Sequence, residues 1–239
     1  MGTNRNLTII LPVYNPHEGW DKELLHSFPR LKDRFSDIDY CITIVNDGST
    51  TNVENTIKNL ILPYHKNVYY SGYRKNMGKG FAIRHGLELS SSDYYIYCDF
   101  DFPFGIDALR EIYEILAAGK TNLVMASRNF FSIYKKLPFW RCLLSLSLFI
   151  INSIITRFRV KDTQAGLKGL DNKARDVFLT TKTNSFVFDI EFILKCLKAD
   201  LKYSFVKVVP NHNIKFTNFG LKVIKRELIN YSKIMLGRK

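Results

Sequence analysis

Two aspartates, Asp99 and Asp101, flank one phenylalanine directly after the apolar run Tyr94–Cys98. Carboxylates two residues apart, just past a strand, can meet one divalent cation directly or through water. Mg2+ and Mn2+ take oxygen ligands and are often held by one or two carboxylates together with substrate phosphates. A further acidic group, Asp47, stands in Asp47-Gly48-Ser49 after another apolar run. Its carboxylate could accept hydrogen bonds from a base or ribose while Gly48 admits close approach. The same triplet is equally good turn and helix-cap chemistry. Asn76-Met77-Gly78-Lys79-Gly80 sets a cation between glycines. It is not a Walker loop, because five residues separate Gly72 from Gly78 and Gly80 stands where Ser or Thr is required. A dinucleotide fingerprint also fails, for want of a third small residue. A cationic, glycine-flanked helix start still suits a diphosphate. His85 and His212 read as structural, and Asp189 and Glu191, two apart on a predicted helix, fall on different faces.

These groups need elements to hold them. Leu7–Val13, Tyr40–Val45, Asn67–Tyr70, Tyr94–Cys98 and Leu123–Ala126 are short apolar runs that predict strands. Between them, apolar residues at helical spacing predict helices, as with Trp20, Leu24, Phe28 and Leu31, or Ile106, Leu109, Tyr113 and Leu116. Val53–Ile61 and Lys79–Leu89 read the same way. The alternation implies an α/β fold with a mostly parallel sheet flanked by helices. Ligands bind such sheets outside the carboxyl ends of the strands. Tyr14-Asn15, Asp47-Gly48-Ser49 and Asp99-Phe100-Asp101 would therefore share one rim. Further on, Thr163–Leu170 predicts a strand and turn, Phe186–Leu197 a helix and Tyr203–Val209 a strand. Phe219–Met235 predicts a last amphipathic helix, within a basic C-terminal extension, 219–239.

The 239 residues carry a formal charge of +13, and it is unevenly placed. Residues 1–120 hold 13 Lys+Arg and 15 Asp+Glu, a net −2, whereas residues 121–239 hold 22 and 7, a net +15. Such a bias favours a polyanionic partner: nucleic acid, an acidic membrane surface or a phosphorylated substrate. Hydrophobic residues at 46% and charged residues at 24% exclude intrinsic disorder, and four scattered cysteines (Cys41, Cys98, Cys142, Cys196) exclude a disulfide scaffold. Reduced thiols and the polar start, Met1–Asn6, imply a cytoplasmic protein without a signal peptide. Residues 139–155 are almost continuously apolar and flanked by Lys135, Lys136, Arg157 and Arg159. That is short of the roughly 20 residues that span a bilayer. It fits a helix lying in a membrane interface, or a core helix, or a contact in a homo-oligomer. One domain, 1–239, accommodates everything: the alternating half at 7–126, a second half at 127–218 and the C-terminal helix.

Taken in order, LPVYN at 11–15, VNDGS at 45–49, NMGKG at 76–80, DFD at 99–101, ASR at 126–128 and DTQAGLKGL at 162–170 resemble the family 2 glycosyltransferases of GT-A (Rossmann-like) fold. Within them the chain looks most like the dolichyl-phosphate β-glucosyltransferase and dolichol-phosphate mannose synthase branch. The resemblance spans about residues 7–210, with DTQAGLKGL its most specific part. It implies an inverting, metal-dependent hexosyltransferase that uses Mg2+ or Mn2+. A nucleotide sugar would be the donor, UDP-glucose first and GDP-mannose second, and a polyprenyl phosphate the acceptor, at the cytosolic face of a membrane. It further implies that Pro12, Tyr14, Asn15 and Asp47 line the base and ribose pocket, with Lys79 nearby. Asp99 and Asp101 would hold the metal on the donor diphosphate. Arg128 and Arg141 would grip the acceptor phosphate, and Asp162 would face sugar and acceptor. The chain departs from the family at Pro16, where an acidic residue is usual, and at Pro103, where a metal-binding Gln often follows the DxD.

The chemistry of the acceptor separates two enzyme readings. A phosphate monoester has a second pKa near about 6 and is largely dianionic at neutral pH. It attacks without strong base help, whereas a sugar hydroxyl needs a carboxylate base. For a hydroxyl acceptor, as in elongation of a surface glycan, Asp162 is the first candidate base and Asp189 the second. For a phosphate, Asp162 orients and stabilises. A basic nucleic-acid-binding module is the remaining class, and the chain carries no recognised motif for it.

Overall fold

Leu7, Ile9, Ile10 and Leu11 are wholly buried, as a strand covered on both faces requires. They lie in β1 (Arg5–Val13), the middle of a parallel group with β2 (Tyr40–Asp47) on one side and β4 (Ser92–Tyr97) on the other. The computed structural model describes residues 5–128, 152–156, 160, 162–163, 165–185, 187–211 and 229–231. Its sheet adds β3 (Val68–Tyr73), β5 (Leu123–Arg128), β6 (Lys168–Asp171) and β7 (Tyr203–Val208), in the order β3-β2-β1-β4-β6-β5-β7. Every neighbouring pair is parallel except those made by β6, which runs against both β4 and β5. The mostly parallel sheet expected from the alternation is therefore present, with one reversed strand.

Helices cover both faces. Alternate residues of β1 point opposite ways: Leu7, Ile9, Leu11 and Val13 join one core cluster and Ile10 the other. The first cluster takes α1 (Trp20–Arg34), α2 (Val53–Thr56, widening into a π turn at Ile57–Ile61) and α4 (Ile106–Ala117). The second takes α3 (Lys79–Leu89), α5 (Asn172–Leu179) and α6 (Phe188–Lys198). Helix α5 is an addition to the elements read from sequence. Its start is signed by Asp171, whose carboxylate accepts the Ala174 N–H at 2.9 Å. Strand β3 continues to Tyr73, past the expected end at Tyr70.

The order of strands positions the site. The chain moves outward from β1 to β2 and β3, then returns to place β4 on the other flank of β1. That reversal opens a crevice at the carboxyl ends of β1 and β4. Because β6 is antiparallel, its amino end lies at the same rim, with Lys168 opposite Tyr97 of β4 and Met125 of β5. Asp162, Thr163 and Ala165–Leu167 are thereby delivered to the carboxyl ends of the other strands. Of the apolar segment 139–155, only 152–155 fall within the described residues, and Asn152 and Ser153 there are buried. Of the C-terminal helix 219–239, residues 229–231 are described and are helical. Among the described residues no helix is long and apolar enough to cross a membrane, and Cys41, Cys98 and Cys196 are buried free thiols.

Candidate active site

The loops that follow β1 and β2 are tied to each other. Asn15, in the left-handed region at φ 40, accepts from the Thr50 N–H at 2.8 Å and hydroxyl at 3.1 Å, while its own N–H donates to Ser49 Oγ at 3.0 Å. Asparagine tolerates that backbone conformation better than most side chains. Pro12 is half-buried beneath this strap, and Tyr14 stands out at the rim with 49% of its surface exposed.

Asp47 is placed at the rim but faces inward, only 3% exposed. Its carboxylate accepts from Tyr73 Oη (2.8 Å), Asn76 Nδ2 (2.9 Å), Met77 N (2.8 Å) and Gly78 N (3.0 Å). It thus serves as the anion at the start of α3. The Gly80 N–H is likewise taken, by the Asn184 carbonyl at 2.9 Å. The glycines of this loop answer to packing. A Cβ on Gly78, at φ +99, would lie 2.4 Å from Asn184 O, and one on Gly80 would lie 2.6 Å from Phe188 Cβ. The N–H groups of Met77, Gly78 and Gly80 are therefore occupied within the protein, and the Lys79 side chain is the loop's contribution to the rim.

Lys79 Nζ forms an ion pair with Asp99. Burial opposes its charge, yet the charge and hydrogen bond of Asp99, with Asp189 behind, raise its pKa. Asp101 reaches solvent, but protein crowded about its carboxyl raises its pKa, and the neighbouring Asp99 charge raises it further. Asp101, its charge disfavoured, beside Asp99, leaning on an ammonium, forms the hard-oxygen setting that a divalent cation relieves. The pair fits Mg2+ or Mn2+ as carboxylate ligands that leave room for phosphate oxygens. Among the described residues no group of three or more His, Cys, Asp or Glu could hold an ion without such help.

The stretch before β6 closes over this pair. Gly166 lies so near that a Cβ on it would sit 2.8 Å from Asp99 Oδ2 and 3.2 Å from Lys79 Nζ. Four residues earlier, Asp162 meets Arg128 at the end of β5 in a fork: Nε at 2.7 Å and Nη2 at 2.9 Å, with the Arg128 N–H adding a third bond at 3.1 Å. Burial pushes the Asp162 pKa up, but Arg128 through its hydrogen bond and charge overcomes this and lowers it. Two candidates read separately from sequence are thus a single unit.

Asp189 and Glu191 are both buried on α6 and do face apart. Asp189 Oδ1 accepts from Tyr97 Oη at 2.7 Å and from Lys168 Nζ at 2.9 Å. Glu191 holds the backbone N–H groups of Lys182 and Thr183, at 3.0 and 2.7 Å. Lys168 was not singled out by the sequence reading. The signal was a lone lysine in the otherwise apolar AGLKGL, where a fully buried ammonium must find an anion. His85 bonds Ser71 Oγ at 2.8 Å and packs on Tyr73 and Phe81, a structural place. Arg141, residues 139–151 and His212 lie outside the described residues.

Residues 8–172 match the family Glycosyl transferase family 2. A dolichyl-phosphate beta-glucosyltransferase of Dictyostelium discoideum is 24% identical over 216 residues, covering 86% of this chain and 66% of the relative. A second, of Trichomonas vaginalis, is 26% identical over 215 residues, covering 85% of this chain and 63% of the relative. The chain thus spans somewhat less than two thirds of the length of these curated relatives. In three dimensions the chain resembles glucosyl-3-phosphoglycerate synthase from Mycobacterium tuberculosis in complex with Mn2+ and UDP-glucose. The TM-score is 0.66 at 16% identity, over 98% of this chain and 79% of the other. That likeness bears out the GT-A-like α/β fold.

Proposed function

The chain belongs to glycosyl transferase family 2, and from that premise we propose that it transfers a hexose from a nucleotide sugar to a polyprenyl phosphate, with inversion. UDP-glucose is the first donor and GDP-mannose the second. The observation that carries the acceptor class is the state of the two carboxylates that a hydroxyl acceptor would need as base. Asp162 is forked by Arg128 with its pKa held down, and Asp189 is buried against Lys168 and Tyr97. Each carboxylate is already engaged by a cation of the protein. A dianionic phosphate asks for no base.

In the reaction an acceptor phosphate oxygen bonds to the anomeric carbon from the side opposite the leaving group. The bond from that carbon to the donor diphosphate breaks, and the nucleoside diphosphate departs with the electron pair. A divalent ion held by Asp99 and Asp101 would supply charge neutralisation for the departing diphosphate. Lys79, beside Asp99, adds a fixed cation there. Pro12, Tyr14 and Asn15 form the side of the rim where base and ribose would lie, and Asp47 shapes it by fixing residues 76–78. Arg128 presents its guanidinium toward the acceptor end, and Asp162 keeps it oriented; Arg141 is its expected companion. Guanidinium geometry suits bidentate phosphate capture. The net +15 of residues 121–239 would favour an anionic membrane, and we place the enzyme peripherally on its cytosolic face.

The test offers radiolabelled UDP-glucose and GDP-mannose, with Mn2+, to polyprenyl phosphate and to an oligosaccharide. Label in the lipid fraction is the expected result. Label in the oligosaccharide alone, or none in lipid with any common donor, overturns the acceptor assignment.

A further inference from the structure

Asp162, Thr163, Ala165 and Gly166 precede β6 and lie outside any strand, yet Asp162 meets Arg128 and Gly166 lies against Asp99. Two buried polar lines meet on them. From one side Lys168 Nζ donates to the carbonyls of Thr163 at 3.1 Å and Ala165 at 2.8 Å. From the other, Asn152 Nδ2 donates to Thr163 Oγ1 at 2.7 Å, and Asn152 Oδ1 accepts from Tyr231 Oη at 2.6 Å. Asn152, Thr163 and Tyr231 are all buried. The Tyr231 ring sits in an apolar socket with Val187 and Ile190, flanked by Ile155 and Leu194. Next to it, Asn230 Nδ2 donates to Ser185 Oγ at 2.9 Å.

A carboxamide donates from one atom and accepts on another, so Asn152 links two hydroxyls that lie far apart in sequence. Breaking either link strands a buried polar group. Such a fully satisfied line selects one geometry. We propose that Asn152 is a positioning residue for the acceptor step. Through Thr163 it fixes the height of the Asp162–Arg128 fork at the rim, and Tyr231, from the C-terminal segment, fixes Asn152. The inference rests on reading that fork as the acceptor end of the site. Asn152 acts through its neighbours and is not itself catalytic.

The full chain, with Tyr231→Phe, Thr163→Val and Thr163→Ser, provides the test. Tyr231→Phe keeps the ring in its socket and removes one hydroxyl; Thr163→Val keeps the shape. Both should lower kcat/KM for polyprenyl phosphate about three- to tenfold, the scale of one lost hydrogen bond. Affinity for UDP with Mn2+, measured by calorimetry, should stay unchanged, and Thr163→Ser should restore transfer. Unchanged kcat/KM in both variants, or an equal weakening of UDP binding, overturns the proposal. If the unaltered protein transfers nothing to polyprenyl phosphate, the acceptor reading fails by itself, and hydrogen exchange decides the rest. Faster exchange of the amides of 163–167 in Tyr231→Phe, with 45–49 unaffected, upholds the line; unchanged exchange there refutes it.

Discussion

Asp101 is held at odds with the fold around it. Its folded pKa is raised, so its contribution to stability is present below the unfolded value near about 3.9 and is lost as pH rises through the folded pKa. At neutral pH its charge is therefore unfavourable. Asp101→Asn should raise the thermal midpoint in a chelating buffer at pH 7 while lowering turnover about a hundredfold or more. Mn2+ should raise the midpoint of the unaltered protein and not of the variant. Near-normal turnover would remove Asp101 from the site. Asp162 has the opposite sign. Its folded pKa is lowered, so the stability it brings is complete above the unfolded value and disappears as pH falls through the folded one. Urea midpoints of the protein and of Asp162→Asn should differ most above about pH 4 and converge in stronger acid; a difference independent of pH would contradict the Arg128 pairing. At Gly166 an added methyl meets the ends of two flexible side chains. Gly166→Ala should leave the melting midpoint almost unchanged yet weaken Mn2+-dependent UDP binding, because Asp99 must turn aside. Intact binding, measured by calorimetry, would show that Gly166 does not guard Asp99.

At the scale of elements, much of the site could be read from where apolar runs stop. Strand β1 ends beside Tyr14, β2 at Asp47 and β4 two residues before Asp99, so three polar segments had to share a rim. Burial on both faces is written in composition, since the runs admit almost nothing polar. What could not be read was non-local. Strand β6 is four residues long and carries a lysine, and neither its reversal nor its two partners leave a local trace. Nor does Asp47 announce that its four donors come from residues 73–78, or Asp162 that Arg128 awaits it across 34 positions. Helix α5 was legible in principle, through Asp171 and the four-residue spacing of buried Ala174 and Phe178. Asp171→Ala removes that cap and the bond its other oxygen accepts from Asn122 Nδ2 at 2.7 Å, and should cost about 1–2 kcal/mol, read as a lower urea midpoint with unchanged turnover; no shift would mean that neither bond adds to stability.

For the whole molecule, charge is divided as the proposed chemistry is: net −2 in residues 1–120, which hold Asp99 and Asp101, and +15 beyond. Flotation with vesicles containing anionic lipid should therefore recover the protein at low salt. Recovery should fall steeply as ionic strength rises and the Debye length shrinks toward about 8 Å. Equal binding to neutral vesicles at high salt would assign the attachment to apolar contact instead. The reversed strand has a consequence for assembly on the ribosome. When Arg128 has emerged, β3, β2, β1 and β4 can already pair, but β5 has no neighbour in the sheet, and the flank of β4 lies open. Both wait for residues 168–171, which arrive later and must slide between them. The nascent half, residues 5–128, thus carries an uncapped edge, the kind that invites pairing with another chain. The strand that seals it brings Gly166 and Asp162 into place in the same event, so a chain that has not finished folding has no finished rim.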